Sequence, residues 1–567
     1  MLASSRWIAV LGLLALPCVL SAQQQRPPAQ LTLPLKFAAK PTSGAITVQD
    51  LMSRLYVFAD DSMMGRQAGT VYHDKGTDYI ARELARIGLK PAGDNGTYFQ
   101  VIPLMARNLT ADAKITVDGR DFAAWKDFLP RDNGPTARSM QNAPAIFGGV
   151  WGDTLITPEQ ASGKVVVIAV PRGWQANRGA LIQQYLGAAA IAVATLDSMP
   201  ANIQLLYQKP SVIMRGGVEP QLPPIPSFFY STRAMTEAML AGPLQSLKAG
   251  VLGKSVTGTL AYVEAQAPGA RNVVAILPGS DAALRGEYVA IGAHSDHIGF
   301  STPNSDINLP IDHDSLYAFY HVVRPQGADD GAKPAKPEDW PKVRATLDSL
   351  RKTHIARRDS IFNGADDDGS GSVTVLEVAE AFASAKDKPK RSILFVWHVG
   401  EELGLYGSEY FTDHPTVPRD SIVAQINIDM VGRGPKALAP GGGTGDLQLI
   451  GSRRLSTELG DVVEAEGKKF TPAFKFDYQY DANGHPEQYY CRSDHYEYAR
   501  YGIPVVFMST GGHPEYHQVT DEPQYIDYEG MARVAQLVYN TANSVANLGH
   551  RLVVDKPKPD PHGRCVQ

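Results

Sequence analysis

The chain has 567 residues, 44% of them hydrophobic and 20% charged, with a formal net charge of −5. A chain of this length can bury a large core and leaves room for about two to four domains. It has neither a basic balance nor long basic runs, so it lacks the electrostatic signature of nucleic-acid binding, and we expect no nucleic-acid partner.

Residues 1–22 have the pattern of a secretory signal peptide. Arg6 precedes the apolar run from Trp7 to Leu20, and the small residues of "LSAQQQ" then predict cleavage after Ala22. The run is too short for a stable membrane span, and no later segment is long and apolar enough to form one. We therefore expect an exported protein, secreted or periplasmic, that does not reside in a membrane.

Cleavage would remove Cys18 and leave two cysteines, Cys491 and Cys565. Export permits a disulfide between them, but a free, buried Cys491 fits the sequence equally well. The pairing of these two residues stays open at this point.

The segment 23–140 begins with a polar leader and continues with two helical patterns, "TVQDLMSRLYVFADD" and "DKGTDYIARELARIGLKPAGD". In the second, Ile80, Leu84 and Ile87 share one helical face, and Gly88 predicts its end. We interpret this segment as the leader and helical part of the main domain. From residue 141 to 263 the pattern changes to short strands and turns, such as "APAIFGGV", "GKVVVIAV" and "GAAAIAVAT", which predicts a small inserted β-rich domain.

The main domain continues through residues 264–550. Apolar strand patterns alternate there with helical patterns, which predicts an α/β three-layer sandwich with a mostly parallel central sheet flanked by helices. The strand patterns are "NVVAILPGS", "EYVAIGAH", "SILFVWHV", "AQINIDMVGR", "DLQLIGS" and "IPVVFMSTG". A polar stretch at 300–362 is expected to be a surface insertion, and residues 551–567 a C-terminal tail.

Metal-binding residue types follow several of these strands. "GAHSDH" contains His294 and Asp296, "GEE" contains Glu401 and Glu402, "INIDM" contains Asp429, and "EYHQVTDEP" contains His517; the turn "GADDDGSGS", before a helix, adds Asp366, Asp367 and Asp368. Because sites in parallel α/β sheets gather beyond the carboxyl ends of the strands, we expect these side chains to meet. Each of these residues alone is more often a capping or turn residue. A core does not gain stability, however, from several ligand-type side chains at one edge of its sheet.

This supply of ligands exceeds what one zinc ion needs. Two divalent ions that share one bridging carboxylate would use five protein groups and leave room for a water. Imidazole and carboxylate donors suit zinc, with cobalt or manganese as substitutes. The chain has neither HExxH nor GxSxG, and "GADDDGSGSVTV" does not place its residues as an EF-hand loop does.

These motifs, in their order along roughly residues 270–546, resemble the dizinc exopeptidases, a family that includes secreted bacterial leucine-type aminopeptidases. The further motifs "YYCRSDHYEYARYGIP" and "GGHPEYHQVTDEP" belong to the match, "GRQAG" resembles the N-terminal part of larger members, and the inserted domain resembles a protease-associated domain.

The resemblance implies a role for each residue. His294 and Asp429 would bind one zinc ion, Glu402 and His517 the other, and Asp367 would bridge them. Three further residues would complete the catalytic set, namely Asp296, which would orient His294, Glu401 as the general base, and Tyr516, which would polarise the scissile carbonyl.

The spacing departs from the family pattern, because Asp367 follows His294 by 73 residues (367 − 294). Asp329 and Asp330 in "GADDG" are therefore rival bridges, although only Asp367 is followed by "GSG" and a helical pattern. In the family the bridging aspartate precedes a non-proline cis peptide, which predicts one between Asp367 and Asp368.

The resemblance thus predicts an exported, zinc-dependent aminopeptidase that acts on peptides. The metal pair would acidify a water, and Glu401 would take its proton and pass it to the leaving amine. A carboxypeptidase or dipeptidase of the same family is the main alternative. A glutaminyl cyclase fits "GEELGLYGS" poorly, and a non-enzymatic receptor-like relative would be expected to have lost ligands. The preferred side chain and the oligomeric state stay open.

Overall fold

A computed structural model of the chain describes residues 33–132, 138–171, 176–199, 204, 207–208, 210–215, 224–266, 270–300, 311–323, 335–352, 356–433 and 446–567. The predicted signal peptide, Cys18, the rival bridges Asp329 and Asp330, and parts of the 300–362 insertion lie outside these residues. Among the described residues, no helix combines the length and the apolarity needed to cross a membrane.

The described α-helices, in chain order, are α1 (Val48–Phe58), α2 (Val71–Arg86), α3 (Pro158–Ala161), α4 (Arg178–Gln184), α5 (Arg233–Leu240), α6 (His313–Val323), α7 (Trp340–Leu350), α8 (Gly371–Ser384), α9 (Tyr406–Asp413), α10 (Thr457–Gly467), α11 (His495–Ala499) and α12 (Tyr528–Asn547). The described strands are β1 (Lys90–Pro91), β2 (Phe99–Ile102), β3 (Leu104–Leu109), β4 (Lys114–Val117), β5 (Arg120–Ala123), β6 (Phe128–Arg131), β7 (Met140–Val150), β8 (Val165–Ala169), β9 (Ala190–Ala194), β10 (Ser211–Met214), β11 (Ser227–Ser231), β12 (Leu252–Gly258), β13 (Tyr262–Gln266), β14 (Ala270–Leu277), β15 (Tyr288–His294), β16 (Ile311–Asp312), β17 (Arg358–Asp359), β18 (Ser392–His398), β19 (Ile422–Ile428), β20 (Asp446–Ile450), β21 (Lys475–Asp477) and β22 (Val505–Ser509).

The main sheet has nine strands in the order β1-β14-β18-β15-β19-β22-β20-β21, and β2 also pairs with β14. Its centre, from β18 to β22, is parallel, and antiparallel pairs join it to β14 on one side and to β20 on the other. These central strands are buried along their length and largely apolar because both of their faces are covered.

Alternate side chains of β18 enter two separate cores. Ile393, Phe395 and Trp397 pack with α1, α8 and α12 on one face, and Leu394 and Val396 pack with α9 and α11 on the other. Helices thus cover the sheet on both sides, and the predicted three-layer α/β sandwich is confirmed.

The segment 23–140, interpreted as helical, also contains strands. β1 and β2 pair antiparallel with β14 and extend the main sheet, and β3 to β6 join two other sheets. The helical description of this segment was therefore incomplete. The strands β1 and β2 were missed because they have only two and four residues, too few to show an alternation of apolar and polar residues. Their pairing depends on β14, which is distant in sequence.

A second sheet has eight strands in the order β5-β4-β12-β7-β8-β9-β11-β6. It already includes β4, which begins at Lys114, so we place the start of the inserted β-rich unit before the predicted residue 141. A further sheet, β10-β3-β13, lies against the segment after β18, where the Tyr406 hydroxyl donates to the carbonyl oxygen of Val212 at 3.2 Å.

Cys491 and Cys565 form a disulfide with a Cα–Cα distance of 5.8 Å. The C-terminal tail is also fixed by Gln567, whose side-chain oxygen accepts from the backbone N–H of Tyr490 at 2.9 Å. The tail thus holds the segment around Cys491 in place.

We expect the Cys565→Ser variant to lose about 2–4 kcal/mol of unfolding free energy, because the disulfide closes a long loop in the unfolded chain. Chemical denaturation followed by circular dichroism measures the difference. Reductant should lower the stability of the parent to that of the variant and leave the variant unchanged; equal stabilities without reductant would contradict the expectation.

Candidate metal centre

The proposed site residues converge at one edge of the main sheet. His294 ends β15, Asp429 directly follows β19, and Glu401 and Glu402 follow β18 by a short loop. These strands are neighbours, so their carboxyl ends deliver the side chains to one place. His517 comes from the loop after β22, and Asp367 from the turn before α8.

Two groups of ligand-type side chains form there, and within each the donor atoms lie within 4.8 Å of one another. In the first group, His294 Nε2 lies 3.1 Å from Asp367 Oδ1 and 3.7 Å from Asp429 Oδ1. In the second, His517 Nε2 lies 3.1 Å from Asp367 Oδ2 and 3.0 Å from Glu402 Oε2. Asp367 thus gives one oxygen to each group.

His297 joins the second group, although the sequence analysis did not name it as a site residue. Its Nδ1 lies 2.7 Å from Glu402 Oε1 and 3.8 Å from Asp367 Oδ2, and its ring is buried. A Cβ on Gly364, which has a φ of +55°, would come within 2.5 Å of the His297 ring, so the ring is tightly enclosed. The sequence contained one signal for this residue: His297 is the second histidine of "GAHSDH" and follows the end of the same strand as His294.

The turn that carries Asp367 is fixed by its neighbours. The peptide between Asp367 and Asp368 is cis, as predicted. The Asp368 carboxylate accepts from the backbone N–H groups of His294 at 3.2 Å, Gly371 at 2.9 Å and Met430 at 3.1 Å, and so connects the turn to β15, α8 and the end of β19.

Arg66, in the motif "GRQAG", is a second anchor of the site. It is fully buried, and its guanidinium donates to the carbonyl oxygens of Ser295 at 3.2 Å, Asn363 at 2.7 Å and Gly364 at 2.9 Å. One side chain from before α2 therefore connects the segments that follow His294 and precede Asp367. Burial lowers the pKa of Arg66 to about 10, within a group of acidic residues that favour its charged form.

Asp296 contacts His294 through its backbone more closely than through its carboxylate. The closest contact to His294 Nδ1 is the backbone carbonyl oxygen of Asp296 at 3.1 Å, whereas its carboxylate oxygen lies at 3.8 Å. That carboxylate oxygen instead accepts from the backbone N–H of Glu401 at 3.4 Å. Asp296 thus contacts both His294 and the loop that carries Glu401. Burial raises the pKa of the Asp296 carboxyl to about 6.

The two adjacent glutamates are in different electrostatic surroundings. Burial, with Asp429 and Glu402 nearby, raises the pKa of Glu401 well above its ordinary value. Burial acts in the same direction on Glu402, but hydrogen bonds with His297 and His517 outweigh it and lower its pKa to about 2. Glu402 is thus held as a carboxylate, and Glu401 is the more basic group.

A cavity opens onto this centre. Among its lining residues are the acidic groups Asp367, Glu401 and Asp429, and Tyr516, whose ring stacks on that of His517 at 3.9 Å. Met430, Tyr489 and Phe507 form an apolar part of the wall, and Arg492 adds a cationic side chain. Ser493, also in the wall, donates to Asp429 Oδ2 at 2.8 Å and fixes that carboxylate.

The donor set fits divalent metal ions. Asp367, Glu402 and Asp429 lie together with three imidazoles, and no ion pair with lysine or arginine is found for these three carboxylates among the described residues. Buried carboxylates need a compensating cation, and mixed oxygen and imidazole donors are those that zinc accepts.

An α/β sheet with two histidine–carboxylate groups that share one aspartate defines a candidate dinuclear metal centre. Residues 341–542 match the model of Peptidase family M28, so the predicted family resemblance is confirmed over this part of the chain. The matched part includes Asp367, both glutamates, Asp429 and His517, and ends before the C-terminal tail.

Leupeptin-inactivating enzyme 1 of Streptomyces exfoliatus is 37% identical over 97 residues, which cover 17% of this chain and 22% of that protein. Leucine aminopeptidase 1 of Aspergillus fumigatus is 30% identical over 196 residues, 32% of this chain and 47% of that protein. The match thus spans less than half of either relative. Among solved structures, BSAP, a zinc aminopeptidase from Bacillus subtilis, aligns over 88% of this chain and 95% of its own with 17% identity and a TM-score of 0.47.

Proposed function

We propose that the protein is an exported, zinc-dependent aminopeptidase that removes N-terminal residues from peptides. The observation that carries the proposal is the pair of ligand groups sharing Asp367, with Glu401 on the wall of the same cavity. The similarity to leucine aminopeptidases supports the reaction class. Export is supported by the sequence pattern of residues 1–22 and by the disulfide between Cys491 and Cys565.

In this proposal one zinc ion is held by His294, Asp367 and Asp429, and a second by Asp367, Glu402 and His517. Bound zinc would supply Lewis acidity toward a water molecule and toward the substrate carbonyl. The closely spaced carboxylates would then stay ionised, because the ions offset their mutual repulsion.

Glu401 is proposed as the general base. Its basicity and its place on the wall of the cavity that Asp367 also lines suit it to accept a proton from the attacking water and deliver it to the leaving amine. Tyr516 lines the same cavity, and its hydroxyl would donate to the carbonyl oxygen as negative charge develops there. The acidic wall would bind the free α-amine of a peptide, and Met430 and Phe507 would contact its first side chain.

Arg492 favours a second candidate, a carboxypeptidase or dipeptidase of the same family. Its side chain lines the cavity, is 43% exposed, and lies 3.7 Å from its carboxylate partner Glu487, a long ion pair. Such a guanidinium could bind a terminal carboxylate of the substrate.

Blocked peptides distinguish the two candidates. We expect the purified protein to cleave peptides with a free N-terminus and an amidated C-terminus, and to leave N-acetylated peptides with a free carboxylate intact, because the acidic wall selects an amine. Chromatography of the products measures this. Cleavage of only the N-acetylated set would support the carboxypeptidase instead.

Metal content is a separate expectation. Elemental analysis of the protein should give close to two zinc ions per chain, because the donors form two groups. A strong chelator should abolish cleavage, and zinc should restore it. Full activity with a single tightly bound ion at saturation would contradict the dinuclear arrangement.

A further inference from the structure

The loop that carries Tyr516 and His517, residues 513–522, is here called the His517 loop. One of its contacts leads to the turn before α8: the Asp521 carboxylate accepts from the backbone N–H groups of Asp366 at 3.0 Å and Asp367 at 3.1 Å. This contact fixes the end of the loop relative to the shared aspartate.

The remainder of the loop faces the insertion, whose described parts are residues 300, 311–323, 335–352 and 356–362. Glu515, fully buried, pairs with His321 at the end of α6. Glu522, also buried, pairs with His313 at the start of α6 at 2.8 Å and with Arg357. Three basic side chains of the insertion thus engage the two buried glutamates that flank Tyr516 and His517.

Aromatic packing reinforces these pairs. The buried ring of Tyr317, on α6, stacks on the His321 imidazole with centroids 3.8 Å apart, and lies 5.2 Å from the ring of Tyr525, just beyond the loop. The His313 ring also stacks on Tyr525, with centroids 6.1 Å apart. Because the imidazoles are packed as well as paired, their contacts with the loop have a defined geometry.

The loop depends on such support at its functional residue. His517 has a φ of +55°, in the left-handed region that residues with a Cβ adopt at a cost. A residue keeps such a backbone when contacts from the surrounding structure over-determine it. Glu515 and Glu522, held from the insertion, lie on either side of that residue.

We propose that the insertion is a positioning element of the metal centre, in which His321, His313 and Arg357 hold the His517 loop so that His517 and Tyr516 face Asp367. The inference rests on the proposed metal-dependent function. It gives a role to a segment whose sequence suggested only a surface insertion, and it predicts an effect on the ion held by His517 rather than on the ion held by His294.

The test uses His321→Leu, His313→Leu and the double variant in the full-length protein. Folding should survive, because Glu515 keeps Arg433 at 2.6 Å and His513 at 3.1 Å, and Glu522 keeps Arg357. Arg351→Gln is the matched control, because Arg351 is also a cation of the insertion but pairs with Asp312 of the insertion itself, at 3.0 Å.

Competition with a chromophoric zinc chelator measures the two zinc affinities separately, alongside kcat and KM. We expect the double variant to bind one ion about 10-fold or more weakly, the usual scale for residues that support metal ligands, and the other ion as the parent does. His321→Gln, which keeps a hydrogen-bond donor, should bind zinc more nearly like the parent than His321→Leu, and Arg351→Gln should match the parent.

Parent-like zinc affinities and kinetics in the double variant would overturn the inference. So would an equal loss at both ions, which would indicate general loosening of the fold. A parent protein that binds no zinc would instead overturn the proposed function, so the two failures are distinguishable.

Discussion

Replacing Glu401 with Gln is expected to lower kcat by at least about 10²-fold, the usual scale for a general base, while both zinc ions stay bound. The amide keeps the shape of the side chain and loses the basic oxygen. Glu401 belongs to neither ligand group, whereas its neighbour Glu402 lies 3.0 Å from His517 Nε2. Substrate affinity should change little.

Glu402→Gln is the matched variant, because it makes the same chemical change one residue away. It removes an anionic ligand, so one ion should be weakened or lost, with a lower melting temperature. Zinc content measured beside kcat separates the two roles. Loss of metal from Glu401→Gln with two ions retained in Glu402→Gln would reverse the assignment, and full activity in both would place the site elsewhere.

The Asp367→Asn variant is expected to lose high-affinity binding of both ions, because one oxygen of Asp367 faces each group. The Lewis acidity of bound metal contributes several kcal/mol to such reactions, so kcat/KM should fall by about 10³-fold or more. Elemental analysis after dialysis and the kinetics of hydrolysis measure the two effects.

Asp429→Asn is the control for a carboxylate that belongs to one group. It should weaken only the ion shared with His294, and the protein should retain about one zinc ion per chain. If Asp367→Asn kept two ions with unchanged affinity, Asp367 would not be the shared ligand. Circular dichroism of both variants would exclude unfolding as the cause of metal loss.

The strands of the main sheet were predictable because they are buried on both faces and rich in branched apolar residues. Once β15, β18, β19 and β22 were recognised, the parallel arrangement alone predicted that the residues following them would meet at one edge. The position of Asp367 required the family pattern, because the residues between it and His294 give no distance in space.

Features that depend on distant partners were not identified from the sequence. His297 looked like an ordinary neighbour of a ligand until its ring was found beside Glu402, at 2.7 Å. The strand β1 has no pattern of its own, and the pairing of Cys491 with Cys565 depends on the path of the C-terminal tail. Each of these depends on tertiary contacts that a single sequence does not encode locally.

The sheet formed by β10, β3 and β13 takes its strands from three separate stretches of the chain. In sequence, β3 precedes the strands of the second sheet, β10 lies between β9 and β11 of that sheet, and β13 follows its last strand, β12. It packs against the segment that carries the two glutamates, from Val399 to Tyr406. The β-rich unit is therefore not independent of the main domain: its excision between β4 and β12 would also remove β10 and leave β3, beside the segment of the two glutamates, without one of its two partner strands. Its evolutionary history should be tied to that of the main domain, with the two inherited together rather than shuffled.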